Sequence, residues 1–327
     1  MAWKDLSNTS FAESMLIEHD AIKELDDVSN LIDWSKIQDL LLGIHNKAQG
    51  EKAWPPLMMF KALLLQSWYK LSDPGLEKQL ARDLLFRRFI RLDISEPVPD
   101  HSTFWRFRQK LEELSLMDDL FEAINEQLSD QGLYLKSGEV SIVDASVIEA
   151  NQCRPHKGKN DKNTQDSDAS WNVKAGSDGK RKSTYGFKAH INVDEDGFIK
   201  KTDYSTGSRH DSNYFTDLLS GKESAAYADS AYKSKAHDNW LTKHKVTNRI
   251  IKKAYRNKPL TEADKSFNRS HSGTRSIVER VFGVLKQHYG MGKARYLGLT
   301  RNKTRFQIMC IAHNMKRGLS ISQLSCA

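Results

Sequence analysis

Three acidic residues have the types and positions that chemistry on a phosphodiester requires. Asp144 ends the strand-like run Ser-Ile-Val-Asp, and Asp229 follows the short apolar run Ala-Ala-Tyr-Ala. Glu279 shares one stripe of a predicted helix with Arg275 and Lys286, at about 100° per residue. Phosphodiester chemistry commonly uses a pair of divalent cations, and Mg²⁺ prefers a few carboxylate oxygens. The three acids are therefore candidate metal ligands.

Each acid also has an ordinary structural explanation. A lone strand-end aspartate such as Asp144 is often a turn cap, and Asp229 could equally cap a helix. Arg275 and Glu279 could form only a surface ion pair, worth a few tenths of a kcal/mol. That explanation does not account for a single acid within a basic stripe. An acid between cations suits a metal ligand beside a phosphate backbone, so the neighbouring cations Arg275, Arg280 and Lys286 are candidate DNA contacts.

The elements that must position these acids follow from the hydrophobic pattern. Residues 1–130 carry apolar residues at helical spacing, with breaks at 72–75 and 97–99, and predict a series of helices. From residue 138 the predicted order is three strands, then helix, strand, helix, strand and helix. A turn at 194–197 joins two of the early strands as a hairpin. This order predicts a mixed α/β layer with three early antiparallel strands.

The same pattern predicts the domain organisation. We predict a helical N-terminal domain at 1–130, with a candidate helix-turn-helix at 57–114. An α/β catalytic domain follows at 138–290, and a helical C-terminal segment covers 291–327. Within the catalytic domain, residues 151–182 are predicted to be a long polar loop, and residues 257–273 a basic linker.

Charge is distributed unevenly along the 327 residues. The formal net charge of +8 is the sum of 16 basic and 26 acidic residues in 1–150, a net of −10, and 34 basic and 16 acidic residues in 151–327, a net of +18. A basic region can be merely a solvated surface. The asymmetry favours two regions with different roles, the second facing a polyanion.

Cysteine content and hydropathy indicate the compartment. Cys153, Cys310 and Cys326 lie far apart, which argues against a disulfide framework and favours a reducing cytoplasm. The pairs Cys153-x-x-His156 and Cys310-x-x-His313 form a weak zinc pattern, because one lies in a predicted loop and the other in an amphipathic helix. The sequence contains no apolar run of 18 residues, so it predicts no membrane span.

Several further residues are candidates for contacts at the site. Lys188 and His190 alternate on a strand beside the first acid and could face it, although an edge-strand lysine can simply be solvated. Trp171, in a basic loop, could stack on an unpaired base or anchor the loop. His210 and Asp211 suit either a helix N-cap or a supporting role at the site.

The acidic half contains one basic cluster. The predicted helices around 72–75 and 102–114 could form a helix-turn-helix in which Arg106 and Arg108 of the cluster contact DNA. Alternatively, they could pack as ordinary helices with surface arginines. The cluster consists of Arg82, Arg87, Arg88, Arg91, Arg106, Arg108 and Lys110.

Together these residues resemble the DDE transposases of bacterial insertion sequences, specifically the insertion sequence 5 family. The signature of that family around its glutamate is Tyr, two residues, Arg, three residues, Glu, six residues, Lys. Arg275, Glu279 and Lys286 keep this spacing, while Ser272 takes the place of the Tyr. The contexts of both strand-end aspartates match as well. Further family-like segments are 99–105, 185–190 and 207–211.

The resemblance implies a ribonuclease H-like fold in which Asp144, Asp229 and Glu279 bind two Mg²⁺ ions, with Mn²⁺ as a substitute. One ion would activate water to nick the element end, and the freed 3′-hydroxyl would then attack target DNA. The implied partners are double-stranded DNA, as terminal inverted repeats and target, and a second copy in a homodimer. The alternatives are a catalytically inactive or domesticated DNA-binding regulator, and a ribonuclease H-like nuclease or resolvase that only cleaves.

Overall fold

The computed structural model describes residues 3–6, 19–44, 52–133, 140–152, 165–175, 181–255 and 259–325. The chain divides into two compact units. The helical unit comprises Met1–Leu133 with Gln307–Ala327, and the sheet unit comprises Tyr134–Phe306. Residues 291–327, predicted as one C-terminal segment, divide between these units.

The helical unit is built from eight helices in its N-terminal part, counted over the described residues, and the end of a long C-terminal helix. Leu42–Ile44 adds a 3₁₀ turn after the third. The eight helices are α1 (Asp20–Lys23), α2 (Asp26–Asn30), α3 (Trp34–Leu41), α4 (Pro56–Trp68), α5 (Asp73–Arg82), α6 (Leu84–Ile90), α7 (His101–Glu113) and α8 (Leu116–Asp130).

The last helix, α12 (Leu299–Ser325), begins in the sheet unit and continues into the helical unit. In the helical unit, Gln307 Nε2 donates to Asp118 Oδ1 at 2.6 Å. Asn314 Nδ2 donates to Asn125 Oδ1 at 2.8 Å, where both side chains are buried. The C-terminal residues thus complete the core of the N-terminal helices. None of the described helices is both long and apolar enough to cross a membrane.

A buried ion pair joins three helices of the helical unit. Arg108 of α7 contacts Asp73 of α5 at 2.5 Å, with 4% and 15% of the two side chains exposed. Gln66 of α4 donates to the other oxygen of Asp73 at 2.6 Å. Asp73 makes these two contacts with its side chain. The N-cap of α5 is the preceding residue, Ser72, whose hydroxyl accepts from the Gly75 amide.

Helix α7 divides its candidate DNA contacts between two faces. Arg106 is exposed, whereas Phe107 and Arg108 are buried. The helix is capped by Asp100, which accepts from the Thr103 amide. The helical period therefore places Arg106 and Arg108, two residues apart in the sequence, on different faces of α7.

The sheet unit contains six strands among its described residues. The order is β2-β3-β1-β5-β6, and β4 also pairs with β3. Pairings of β3 with β1, β2 and β4 are antiparallel, and those of β5 with β1 and β6 are parallel. The predicted mixed α/β layer is confirmed. The strands are β1 (Val140–Glu149), β2 (Ser170–Ala175), β3 (Arg181–Val193), β4 (Ile199–Thr206), β5 (Ala225–Ala228) and β6 (Thr247–Ile250).

Helices cover both faces of the parallel part of the sheet. On one face, Val143 and Ala228 share a core with the short helix α9 (Phe215–Leu218) and α10 (Lys235–Lys243). Tyr227 points the other way, because side chains alternate along a strand. Its ring lies 5.6 Å from that of His271, in helix α11 (Glu262–His288). Helix α11 packs against β1, β3 and β5.

Two segments predicted to be irregular contain regular structure. Strand β2 lies within the predicted loop 151–182, and residues 153–164 and 176–180 of that loop lie outside the described residues. Trp171 and Val173 of β2 are more than half exposed while Asn172 between them is buried, so the alternation of these residues buries no apolar face. Pairing with β3 forms the strand instead. Helix α11 begins inside the predicted linker 257–273. A capping box between Thr261 and Asp264 starts it without apolar burial.

The buried pair yields a stability prediction. We expect Arg108→Met to lower the free energy of unfolding by about 3–5 kcal/mol, because it leaves the Asp73 carboxylate buried without its counter-charge. The measurement is urea unfolding of the full chain. Lys110→Met is the matched control, since Lys110 pairs with Glu113 on the surface and its removal should cost less than about 1 kcal/mol. Equal stability of both variants, with DNA affinity lost only in Arg108→Met, would instead support a DNA contact.

Candidate active site

The register of two parallel strands places Asp144 and Asp229 side by side. Val143 of β1 pairs with Ala228, the last residue of β5, and each aspartate is the next residue along the chain. Neighbouring strands lie about 4.8 Å apart. Asp229 keeps an extended backbone, with φ −69° and ψ 163°, so its side chain remains on the same face as Tyr227. Asp144 shares that face, which is the one that α11 covers.

Local hydrogen bonds orient both carboxylates. Asp144 Oδ1 accepts from the Ala145 amide at 2.8 Å. Asp229 Oδ1 accepts from the Ser230 amide at 2.6 Å and caps the 3₁₀ turn Ser230–Tyr232. Asp229 is therefore a cap, as its structural alternative predicted. Both aspartates are half-buried, which leaves them access to solvent.

Tyr232 is a residue of this site that the sequence did not single out. Its side chain is 1% exposed, and its hydroxyl has no hydrogen-bond partner among the described residues. Burial, together with the charges of Asp144, Asp211 and Asp229, raises its pKa well above the usual value. The phenol therefore remains protonated, with its ring packed in the core around Phe215 while the charges of the three carboxylates act on it. Its spacing of three residues from Asp229 was visible, but the direction of its hydroxyl depends on the tertiary fold.

Lys188 and His190 lie on β3 and are both buried. The Lys188 ammonium lies 2.8 Å from Asp211 and donates to the Arg209 carbonyl at 2.7 Å. His190 stacks on Tyr214, with ring centroids 4.2 Å apart. The two side chains thus hold the segment after β4 and are not presented to solvent in this structure. His210, rather than Asp211, caps the following turn by accepting from the Ser212 amide.

Burial dominates the electrostatics of His190. It lowers the pKa of the imidazole to about 4, which the charge of Lys188 reinforces and that of Asp211 opposes. Its Nε2 lies 2.8 Å from the Ser205 hydroxyl. The ring is therefore neutral at pH 7 and serves as an uncharged stacking and hydrogen-bonding group.

Glu279 lies on α11, the helix that covers the aspartates' face of the sheet. Its side chain is 51% exposed, and Oε1 lies 2.7 Å from the Arg275 guanidinium. Arg280 and Lys286 are exposed on the same helix. Across the described parts of the chain, no group of three or more His, Cys, Asp or Glu side chains is placed to hold a metal ion. The structure thus brings two acids together and leaves the third in an ion pair.

The remaining candidates are Trp171 and the residues of the weak zinc pattern. Trp171 lies on the exposed strand β2, with its ring 5.2 Å from Tyr185. Cys310 is buried and forms no disulfide. Its suggested zinc partners Cys153 and His156 lie outside the described residues.

Two family models match the chain. The first, Transposase domain (DUF772), matches residues 13–110. The second, Transposase DDE domain, matches residues 135–315, which is more than half of the chain. The chain belongs to the DDE transposase family. The mixed sheet with its helices is consistent with a ribonuclease H-like DDE domain, so the predicted fold class is confirmed.

Membership of this family has chemical consequences for the transposase. It implies DNA binding and a nuclease or transesterase activity, and DDE transposases use divalent metals. The donor types here fit such a metal, because carboxylates on two adjacent strands supply the hard oxygen ligands that Mg²⁺ takes.

The neutral His190 yields a pH prediction. Between about pH 6.5 and pH 4 the unfolded chain binds a proton on this imidazole that the folded chain excludes, so stability falls as the pH is lowered. The contribution is at most about 3 kcal/mol. In His190→Gln we expect a shallower loss of stability over this range, measured by urea unfolding at several pH values. His288→Gln, at an exposed position of α11, is the control. Parallel profiles for wild type and His190→Gln would contradict the assignment.

Proposed function

We propose that this transposase is of the insertion sequence 5 type and catalyses Mg²⁺-dependent DNA cleavage at element ends, followed by strand transfer to target DNA. The observation that carries the proposal is the side-by-side position of Asp144 and Asp229 on in-register parallel strands. The spacing of Arg275, Glu279 and Lys286 supports the same family assignment. Terminal inverted repeats, target DNA and a second copy of the chain are the partners in this proposal.

Asp144, Asp229 and Glu279 would hold two Mg²⁺ ions, or Mn²⁺ in their place. When bound, such a pair neutralises charge on the attacking and leaving oxygens of a phosphodiester. The chain itself would orient the carboxylates through the Ala145 and Ser230 amides.

The ion pair between Arg275 and Glu279 suggests how the third acid joins the site. A half-exposed pair of this kind is worth less than about 1 kcal/mol, so exchange of partners is inexpensive. Glu279 would turn to the metal while Arg275 turns to a DNA phosphate. Arg280 and Lys286 would extend this basic stripe along the DNA backbone.

The other candidate contacts have different roles in the proposal. Arg106 and Trp171 are exposed and would contact DNA directly. Lys188 and His190 are buried and would act by holding Asp211 and Tyr214 in place. Arg108 would act through the stability of the helical unit.

A catalytically inactive DNA-binding regulator is the second candidate function. It is favoured by one observation, that the described acids form no three-ligand cluster. The two candidates differ in one outcome. With a labelled terminal-repeat duplex and Mg²⁺, an active transposase nicks and joins strands, whereas a regulator binds without cutting.

The first test changes a strand-end acid. We expect Asp229→Asn to reduce Mg²⁺-dependent strand transfer at least about 100-fold while duplex binding stays within about twofold, because a neutral amide is a poor metal ligand. The assay is joining of a labelled terminal-repeat oligonucleotide to plasmid DNA. Asp217→Asn, an exposed aspartate in α9, should join strands like wild type. Normal joining by Asp229→Asn would refute the site.

The second test compares two glutamates of one helix. Glu279→Gln should abolish joining to a similar extent. Glu262→Gln is the matched control, because Glu262 also pairs with a cation, Lys265 at 2.8 Å, but lies at the start of α11. If both variants keep full activity, Glu279 is only a surface ion-pair partner. If wild type binds the duplex and never cuts it, the regulator interpretation is correct.

A further inference from the structure

The helical unit contains a cavity that the proposed DNA chemistry does not use. It has a volume of about 490 Å³ and lies against α3, α4 and the end of α6, and none of the three candidate catalytic acids lines it. A volume of this size and a mainly apolar wall are typical of small-molecule sites. The apolar wall includes Trp34 and Leu41 of α3 and Pro55, Pro56 and Met58 at the start of α4.

A buried lysine also lines the cavity. Lys61 of α4 is 2% exposed, yet it contributes to the lining. Its ammonium lies 4.1 Å from the ring centroid of Trp34 and 5.2 Å from that of Phe89. The Phe89 carbonyl accepts from it at 3.5 Å, which is a long hydrogen bond. Among the described residues, no carboxylate forms an ion pair with Lys61.

These contacts stabilise the buried ammonium of Lys61 less than water would. Aromatic ring faces attract an ammonium ion, but they replace only part of the hydration that burial removes. Burial, and the positive charge of Arg91, lower the pKa of Lys61 to about 8. Buried charges in folded proteins are normally paired, so an anion in the cavity would supply what the protein does not.

The other charges around the cavity have mostly the same sign. Arg91, Lys4 and Lys52 line it together with Lys61, against the single acid Asp5. Lys4 is itself placed over the ring of a tryptophan outside the lining, 3.9 Å from the Trp54 centroid. Four basic residues and one acid give the cavity a net positive charge, while its walls remain apolar.

We propose that this cavity binds a small apolar carboxylate. The carboxylate group would lie between Lys61 and Arg91, where two charge-assisted hydrogen bonds are available. The hydrocarbon part would lie against Trp34 and the prolines at the start of α4. A free small molecule is favoured over a protein side chain, because the cavity matches the volume of small-ligand sites.

The test uses octanoate as the probe and 1-octanol as its uncharged counterpart, titrated calorimetrically into the full chain at pH 7. We expect octanoate to bind at least about tenfold more tightly than octanol, and Lys61→Met to remove most of that preference. Met has a similar length and no charge, so the variant should fold, and its unfolding curve is recorded alongside.

Two further variants make the result decisive. Arg91→Gln keeps Lys61 and should weaken octanoate binding several-fold, whereas Lys78→Met, at an exposed position of α5, should leave it unchanged. The proposal is overturned if octanoate does not bind, if octanol binds as tightly, or if both Lys61→Met and Arg91→Gln bind octanoate like wild type.

Discussion

The in-register pairing of β1 with β5 is the constraint on which the candidate active site depends. Both strands are parallel and buried on both faces, and small alanines on β5 allow α9 and α10 to pack closely. A slip of one residue would turn the side chains of β5 to the opposite face of the sheet. Asp229 would then lie among the apolar residues around Phe215, and not beside Asp144. The hydrophobic core on one face therefore sets the position of the charges on the other.

The remaining strands hold β1 in that register by close backbone contact. Gly186 of β3 is one point where the approach leaves no room for a side chain, because a Cβ there would lie 1.9 Å from the carbonyl oxygen of Ile148. Gly207, after β4, is similarly close to the Ser170 carbonyl, at 2.4 Å. These contacts join β1, β2 and β4 through β3, so the antiparallel part of the sheet supports the strand that carries Asp144.

Sequence patterns predicted those parts of the molecule that depend on local periodicity. Strand β5 coincides with the run of three alanines and a tyrosine that precedes Asp229, because these apolar residues lie between polar segments. Strand β2 and the first turns of α11 were missed, since edge pairing and a capping box stabilise them. Candidate acids were found from their contexts. The hydroxyl of Tyr232 and the pairing of Lys188 with Asp211 were not, because they depend on residues distant in the sequence. For the same reason, composition could not separate the buried Arg108 from the exposed Arg106.

Helix α12 has a consequence for the order in which the two units can fold. The helical unit is interrupted in sequence by the whole sheet unit, and its core is completed only by residues after 306. Trp68, for example, donates its indole N–H to the Ala312 carbonyl at 2.9 Å. On a translating ribosome, the N-terminal helices emerge first, but their core stays incomplete until the residues after 306 have been synthesised. The sheet unit can therefore fold before the helical unit is complete. The part of the chain synthesised first thus reaches its final packing only after the last helix has been made.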